Sequence, residues 1–261
     1  MGEAKRRTTA PRPDRPDLET GFNDAERQHL ADVRRGAYRH ATAQLGSARH
    51  APDAGAQADA IAAIHTKAAR ALDASTEQFF RTAREGKAIE TRIACKKGCN
   101  FCCYVNVEAT IIEVIGVAAV AVKNPALRDS VLATAPRLAG LDALARIKAR
   151  VPCPLLRDGA CSIYADRPRS CRAFTSYDAK RCEDELNDPE AEREQRRVFT
   201  LPRIIAAAAT DGIQSACRDL RLQDATVEMT EGVATVLRDP GVIARWLAGE
   251  APFPAYAKQP T

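Results

Sequence analysis

The feature that most constrains this chain is its set of nine cysteines, eight of which fall into two dense groups. The first group comprises Cys95, Cys99, Cys102 and Cys103, and the second comprises Cys153, Cys161, Cys171 and Cys182. Only Cys217 lies outside both groups. Thiols at such density serve either disulfide bonding or the ligation of a soft metal. Other features of the sequence indicate which of these two chemistries applies.

The N-terminal and apolar segments favour metal ligation over disulfides. Residues 1–10 are basic but no apolar segment follows them, so Arg6-Arg7 does not predict a secretory signal. The best apolar run, 111–122, is interrupted by Glu113 and is shorter than the about 18 residues of a membrane span. We therefore expect a cytoplasmic protein with no membrane contact, in a compartment where disulfides do not persist.

The first cysteine group has the spacing of a metal-binding loop. Gly98 permits a tight turn, and the step from Cys99 to Cys102 lets two thiolates reach one metal. The loop leads into a predicted helix over 107–123, whose N–H groups and dipole we expect to lower the thiol pKa values. Adjacent Cys102 and Cys103 cannot easily serve one face of one centre. One of them belongs to a second centre or stays a free thiol.

The second cysteine group is arranged around a turn. The dipeptide Asp158-Gly159 between two short apolar segments predicts a small β-hairpin. Cys153 and Cys161 are expected on its two arms, Cys171 on the following proline-containing turn, and Cys182 beyond it. Together the two groups form the predicted ligand set.

Basic residues accompany both groups. Segments 91–104 and 151–182 together contain nine Lys or Arg against three Asp. Four thiolates around Zn²⁺ or a cubane cluster keep a net negative charge, which local cations can offset. We predict this role for Arg169 and Arg172, which flank Cys171; a solvated surface is the alternative.

The identity of the metal is left open, because thiolate ligands suit Zn²⁺ and iron–sulfur clusters equally. The order Cys95-x3-Cys99-x2-Cys102 is also the spacing of radical S-adenosylmethionine enzymes. Those enzymes place the motif on the first loop of a β/α barrel, whereas no series of β-rich segments follows here. The context therefore argues against that class.

Composition and periodicity predict a mostly α, irregular helical domain with a small β-hairpin and cysteine-rich metal-binding loops. Aromatic residues make up only 5% of the chain, which disfavours a sheet sandwich. The expected helices are 24–45, capped by Asn23 or Asp24, 56–84, 107–123, 125–150 with a break near Gly140, 188–198, 202–220, 226–238 and 240–248, with Trp246 as an anchor.

Three residues in these helices need separate interpretation. Glu113 lies in an apolar helix and should have a buried partner such as an arginine or a metal-site lysine, unless the helix is rolled so that it reaches solvent. His65 is expected to be a surface or packed residue rather than a ligand. Cys217, among alanines, is expected to be a packed small hydrophobe.

The predicted organisation has five parts. They are a disordered tail (1–22), an N-terminal helical region (23–90), a cysteine-cluster metal-binding module (91–185), C-terminal helices packing on the module (186–250) and a loose tail (251–261). The net charge of +5 is interleaved along the chain, so no nucleic-acid-binding surface is predicted. The N-terminal helices are the candidate surface for a protein partner.

The cysteine pattern also resembles a known family. Cys95-x3-Cys-x2-Cys-Cys103, then Cys153-Pro-Leu-Leu-x2-Gly-x-Cys-x-Ile-Tyr164, then Arg167-Pro-x2-Cys-Arg172, is similar to the YkgJ-type CxxCxxCC cysteine-cluster family. The resemblance spans about 95–182, with a first gap one residue longer than the nominal motif and a less secure place for Cys182.

The resemblance implies a zinc- or iron-chelating domain in a bacterial cytosolic protein, mostly without an established activity. Flagellin lysine N-methylases share a similar motif, so a protein-modifying enzyme is the alternative function. Against that alternative, the sequence has no glycine-rich S-adenosylmethionine loop following a strand.

Overall fold

Residues 22–191 and 198–254 are described by a computed structural model of the chain. Within them the fold is mostly helical, with two small antiparallel strand pairs, as the composition predicts. The helices are α1 (Asp24–Arg49), α2 (Ala54–Thr82), α3 (Gly86–Arg92), α4 (Ile111–Ala121), α5 (Pro125–Leu138), α6 (Ala143–Lys148), α7 (Arg169–Ala173), α8 (Ala179–Asn187), α9 (Leu201–Asp219), α10 (Met229–Arg238) and α11 (Val242–Leu247). The strands are β1 (Glu108–Thr110), β2 (Leu156–Arg157), β3 (Ala160–Cys161) and β4 (Thr226–Glu228). The tails predicted at 1–22 and 251–261 lie outside the described residues, except for Phe22 and 251–254.

The first helix begins where the sequence predicts, at a capping box. The Asn23 side chain accepts from the Glu26 N–H at 3.0 Å, and the Glu26 carboxylate accepts from the Asn23 N–H at 2.9 Å. The helix continues to Arg49 because Leu45 and Ala48 remain buried on its inner face. A helix held by core contacts does not have to end at an interior glycine.

Helix α4 is the centre of the core, and ten of its residues are buried. It begins at Ile111 rather than at 107, because β1 immediately before it pairs antiparallel with β4. Thr110 then caps the helix, accepting from the Glu113 N–H at 3.3 Å. Helices α2 and α10 pack against α4, so the predicted central helix is confirmed with a later start.

Close helix packing holds the two ends of the chain together. Helix α1 lies against α9, and an added Cβ at Gly212 would overlap the Arg34 carbonyl oxygen. Trp246 of α11 is fully buried, and its Nε1 donates to the Gln223 carbonyl at 2.9 Å. The predicted anchoring role of Trp246 is confirmed.

The hairpin prediction is confirmed with one adjustment. Strands β2 and β3 pair, and both Asp158 and Gly159 have positive φ, as a two-residue hairpin turn requires. Cys161 lies on the second arm, whereas Cys153 lies three residues before the first arm. The hairpin is shorter than the sequence indicates.

The helix predicted at 188–198 is wrong over its described part. Asp178 caps an unpredicted α8 by accepting from the Arg181 N–H at 2.9 Å, and Asp188 ends that helix. Residues 189–191 are turn and bend, and Val198 forms an isolated bridge with Ser176. Positions 192–197 lie outside the described residues.

The N-terminal helices contribute to the main core. Leu45 of α1 and Ile61 and Ile64 of α2 are buried in the same cluster as α4. The partner role expected of this region stays a prediction. None of the described helices is both long and apolar enough to cross a membrane.

Candidate metal centre

The eight clustered cysteines lie on four short segments that hydrogen bonds tie together. The 95–103 loop ends in a 3₁₀ turn, Phe101–Tyr104. The Cys153 N–H donates to the Cys103 carbonyl at 2.7 Å, and Asn100 Nδ2 donates to the Gly159 carbonyl at 3.2 Å. These two bonds fix the first cysteine loop against the hairpin segment.

A second set of bonds ties the start of the same loop to the stretch after α7. The Ala94 N–H donates to the Ser176 carbonyl at 2.9 Å, and the Ser176 N–H donates to Cys95 Sγ at 3.1 Å. The Cys95 thiol in turn faces the Phe174 carbonyl at 3.8 Å. Backbone N–H donation to sulfur favours the thiolate form that metals bind.

Helix α7, which carries Cys171, is held by the buried carboxylate of Glu113. Glu113 Oε1 accepts from the Arg169 backbone N–H at 2.7 Å, and Oε2 lies 3.1 Å from Arg169 Nη2. Thr110 donates to the same carboxylate through its N–H and its hydroxyl, at 2.9 and 2.8 Å. The prediction of a buried arginine partner for Glu113 is confirmed, and the alternative of a solvent-facing Glu113 is wrong.

The charge of Glu113 is stabilised by these partners. Burial alone would raise the pKa of Glu113, but Arg169, His65 and the hydrogen bonds from Thr110 and Arg169 outweigh it and hold the pKa below its ordinary value. The carboxylate is therefore ionised at neutral pH and forms a true ion pair. This pair joins the core helix α4 to the cysteine-bearing helix α7.

Of the two arginines predicted to offset thiolate charge, Arg172 opposes the rise in the pKa of Cys161. Arg169 directs its side chain to Glu113, Thr110 and Thr210 instead. Arg167, which sequence reasoning did not single out, opposes the rise in the pKa of Cys161 together with Arg172. Arg167 stacks on the Tyr164 ring with its guanidinium carbon 3.7 Å from the ring centroid.

The thiols divide into two neighbouring sets. The "Cys95 cluster" consists of Cys95, Cys99 and Cys182, and the "Cys153 cluster" consists of Cys103, Cys153, Cys161 and Cys171. Cys95 has Cys99, Cys102 and Cys182 as electrostatic neighbours. Cys99 has Cys102 and Cys182 as electrostatic neighbours.

Within the Cys153 cluster every thiol has another member as an electrostatic neighbour. Cys102 lies between the clusters: it hydrogen-bonds to Cys103, and it lines a cavity of about 50 Å³ together with Cys182. The sequence could not show this division, because members of each cluster come from distant segments.

Burial governs the acidity of these thiols. It raises the pKa of Cys153 to about 12 and also raises the pKa of Cys171. The pKa of Cys103 is raised most by its hydrogen bond with Cys102, and burial is the second-largest cause of the rise. The expectation that a helix N-terminus lowers the thiol pKa values of the first loop is wrong, because α4 begins only at Ile111 and burial dominates.

Other candidate ligands lie apart from the clusters. His65 is 1% exposed on α2 and places Nε2 2.9 Å from the Asp166 carbonyl oxygen, so it is a packed residue, as expected. Cys217 is 3% exposed in the helical core, where burial raises its pKa to about 12. Its electrostatic neighbours are Asp224 and Arg218 rather than thiols.

The donor set suits a soft metal, although the side chains do not form a ready coordination sphere. In residues 22–191 and 198–254, no three His, Cys, Asp or Glu side chains converge closely enough to hold an ion. The eight sulfurs lie on turns and short helices, where χ1 rotation can redirect each of them. Clustered thiols with N–H donors and nearby arginines fit Zn²⁺ or iron–sulfur chemistry.

Arg146 is, besides Arg167, a second charged neighbour of the thiols that sequence reasoning missed. Arg146 of α6 is 2% exposed, lies 3.8 Å from Glu228 and opposes the rise in the pKa of Cys153. In the sequence it is one basic residue of an ordinary short helix, and nothing marks it as buried.

One comparison with known proteins supports metal binding in this part of the chain. Residues 94–197 match the model of the CxxCxxCC family, which is described as "Putative zinc- or iron-chelating domain". The matched segment contains all eight clustered cysteines and excludes Cys217, so it confirms the resemblance and supports metal binding. Comparisons with curated proteins and with solved structures gave no match.

Proposed function

We propose that this chain is a cytoplasmic metal-binding protein whose eight clustered cysteines hold zinc or an iron–sulfur centre. The observation that carries the proposal is the convergence of four separate segments on one region of thiols, while the ninth cysteine packs in the core. No disulfide joins any of the nine cysteines, all of which lie within the described residues, and thiols persist in a reducing compartment.

We assign the ligands to two adjacent four-cysteine sets. Cys102 neighbours Cys95 and Cys99 but also Cys103, Cys161 and Cys171, and we assign it to the Cys95 cluster because the Cys153 cluster already has four thiols. The first set is then Cys95, Cys99, Cys102 and Cys182, and the second is Cys103, Cys153, Cys161 and Cys171. Four thiolates are the usual complement of a structural zinc site or of an iron–sulfur cluster. The assignment also sends adjacent Cys102 and Cys103 to different centres.

The bound metal would hold the segments of the cysteine module together and, with its thiolate ligands, determine the net charge of the site. The module's segments are turns, two-residue strands and the short helices α7 and α8, which cannot form a large core alone. A metal supplies the missing folding free energy in such segments. Arg146, Arg167 and Arg172 would offset the residual negative charge of the thiolates. With zinc the role is structural, and with an iron–sulfur cluster the centre can carry electrons.

Anaerobic purification followed by metal, sulfide and absorption measurements tests the proposal. We expect either a colourless protein with two zinc ions per chain, or iron with sulfide and broad visible absorption. Cys99→Ser should remove the metal held by the first set, and Cys161→Ser should remove the metal held by the second. Cys217→Ser should remove none. A wild-type protein with no more metal than the Cys99→Ser/Cys161→Ser double variant would overturn the proposal.

A further inference from the structure

A cavity of about 350 Å³, lined by both charged and apolar side chains, lies between β1, α7 and α9, next to the cysteine module. Four of its lining residues, Arg169, Ser170, Ala173 and Phe174, belong to α7 or follow it directly. Its volume falls at the lower end of the about 300–1,000 Å³ typical of small-molecule sites. The proposed metal ligands do not line it.

Arg169 brings a buried, unused hydrogen-bond donor to this cavity. The side chain is 1% exposed and bonds to Thr210, Thr110 and Glu113 through Nε and Nη2. Its Nη1 is buried and has no hydrogen-bond partner among the described residues. An unpaired cationic donor away from water is unfavourable, so a missing acceptor is the simplest physical account of this atom.

A second guanidinium lines the same cavity. Arg203 of α9 is exposed and makes no ion pair within the described part of the chain. Glu113 also lines the cavity, but both its oxygens already accept hydrogen bonds from Thr110 or Arg169. Its charge is therefore already neutralised by hydrogen bonds and an ion pair within the protein. Glu108 at the start of β1 is the remaining acidic group in the lining. The unused groups are mainly donors.

We propose that this cavity binds a small molecule through a carboxylate or phosphoryl group. The oxyanion would accept from the exposed Arg203 guanidinium and from Arg169 Nη1, which a small movement of the surrounding side chains would have to uncover, with the hydroxyls of Ser170 and Thr226 as further donors. Two guanidinium groups match the paired oxygens of either anion, because their planar N–H donors can bond to two oxygens at once. The site is separate from the metal centre and does not depend on it.

Titration calorimetry with inorganic phosphate and, separately, with succinate tests this site on the full metal-loaded chain. We expect binding of at least one probe, and the stronger one identifies the type of oxyanion. Arg203→Gln should weaken the affinity by about tenfold or more, since hydrogen bonds to charged groups contribute that much. Arg137→Gln is the matched control, because Arg137 is an exposed cation of α5 outside the cavity.

Arg169→Lys gives a second variant that keeps the positive charge beside Glu113 but loses the fork of donors. It should weaken binding while circular dichroism and metal content stay at the wild-type level. The proposal is overturned if neither probe binds at millimolar concentration, or if Arg203→Gln and Arg137→Gln weaken binding equally. Binding that survives Arg203→Gln but is lost in Cys161→Ser would place the anion on the metal and would also overturn it.

Discussion

The helical core and the cysteine module are stabilised in different ways. In the core, long helices bury continuous apolar faces, and α4 is enclosed by α2 and α10. In the module, which consists of the cysteine-bearing segments 95–104 and 153–187, the elements are only two to nine residues long and are joined by single backbone and side-chain hydrogen bonds. From this difference we predict that the core folds without metal, whereas the module needs the proposed metal.

Cysteine itself shows the difference between the regions. Cys217 is enclosed by the core and has no thiol among its electrostatic neighbours. Cys153 packs against the edge of the same core, but its first thiol neighbour is Cys161, and Arg146 lies close by. The surroundings rather than the residue type therefore decide whether a cysteine is a packed hydrophobe or a candidate ligand.

The junction of the two regions should be the most sensitive point. Glu113→Gln would leave Arg169 as an uncompensated buried charge, and we expect a loss of about 3–5 kcal/mol in the free energy of unfolding. Denaturant titration of metal-loaded protein measures it. Glu77→Gln, in an exposed pair with Arg81, is the control and should change stability little.

The same variant predicts a pH dependence. Because the pKa of Glu113 is held below its ordinary value of 4.5 in the fold, its ionised form stabilises the protein above that pH. The stability difference between wild type and Glu113→Gln should therefore shrink as the pH falls below 4.5 through the lowered pKa. A difference that stays constant from neutral to acidic pH would contradict the ion pair.

A change within the core should alter stability without altering metal content. Gly212→Ala would force α1 away from α9 at Arg34, and we expect a loss of about 1–3 kcal/mol. Gly46→Ala is the matched control, because a Cβ there meets nothing within 4 Å, and it should stabilise α1 by about 0.5–1 kcal/mol. Thermal unfolding and metal analysis of both variants check this. Loss of metal in folded Gly212→Ala would show that the regions are not independent.

The smallest stability change is expected at Cys217. Cys217→Ala removes one sulfur from a packed site and should lower stability by about 1 kcal/mol with full metal content. Cys153→Ala, made in the same way in the module, should lose metal. Equal metal content in the two variants would contradict the distinction between the two cysteines.

Much of the core could be predicted from the sequence, because helical periodicity and capping residues are local. The capping box at Asn23, the buried run of α4 and the need of Glu113 for a partner are all visible in single segments. Strands β1 and β4 could not be predicted, since each has three residues and is defined only by pairing with the other. The α8 helix was missed because Asp188 was interpreted as a start rather than an end.

The candidate site was predictable in its residue types but not in its arrangement. Local spacing identifies the eight cysteines, whereas the division into the Cys95 and Cys153 clusters depends on contacts between distant segments. The roles of Arg167 and Arg146 likewise arise from tertiary packing. Arg169 lies close to Cys171 in the sequence, but its side chain pairs with Glu113 instead of a thiol, because the Glu113 carboxylate is the stronger partner within reach.

The most direct test of the central claim is thiol labelling of the folded protein before and after metal removal, with each cysteine followed by mass spectrometry. Our account predicts that chelation makes the eight cysteines of 95–182 reactive while Cys217 stays protected and the helical content is largely kept. If chelation leaves those eight unchanged, or exposes Cys217 along with them, the claim that a metal holds the cysteine module on an independent helical core is wrong.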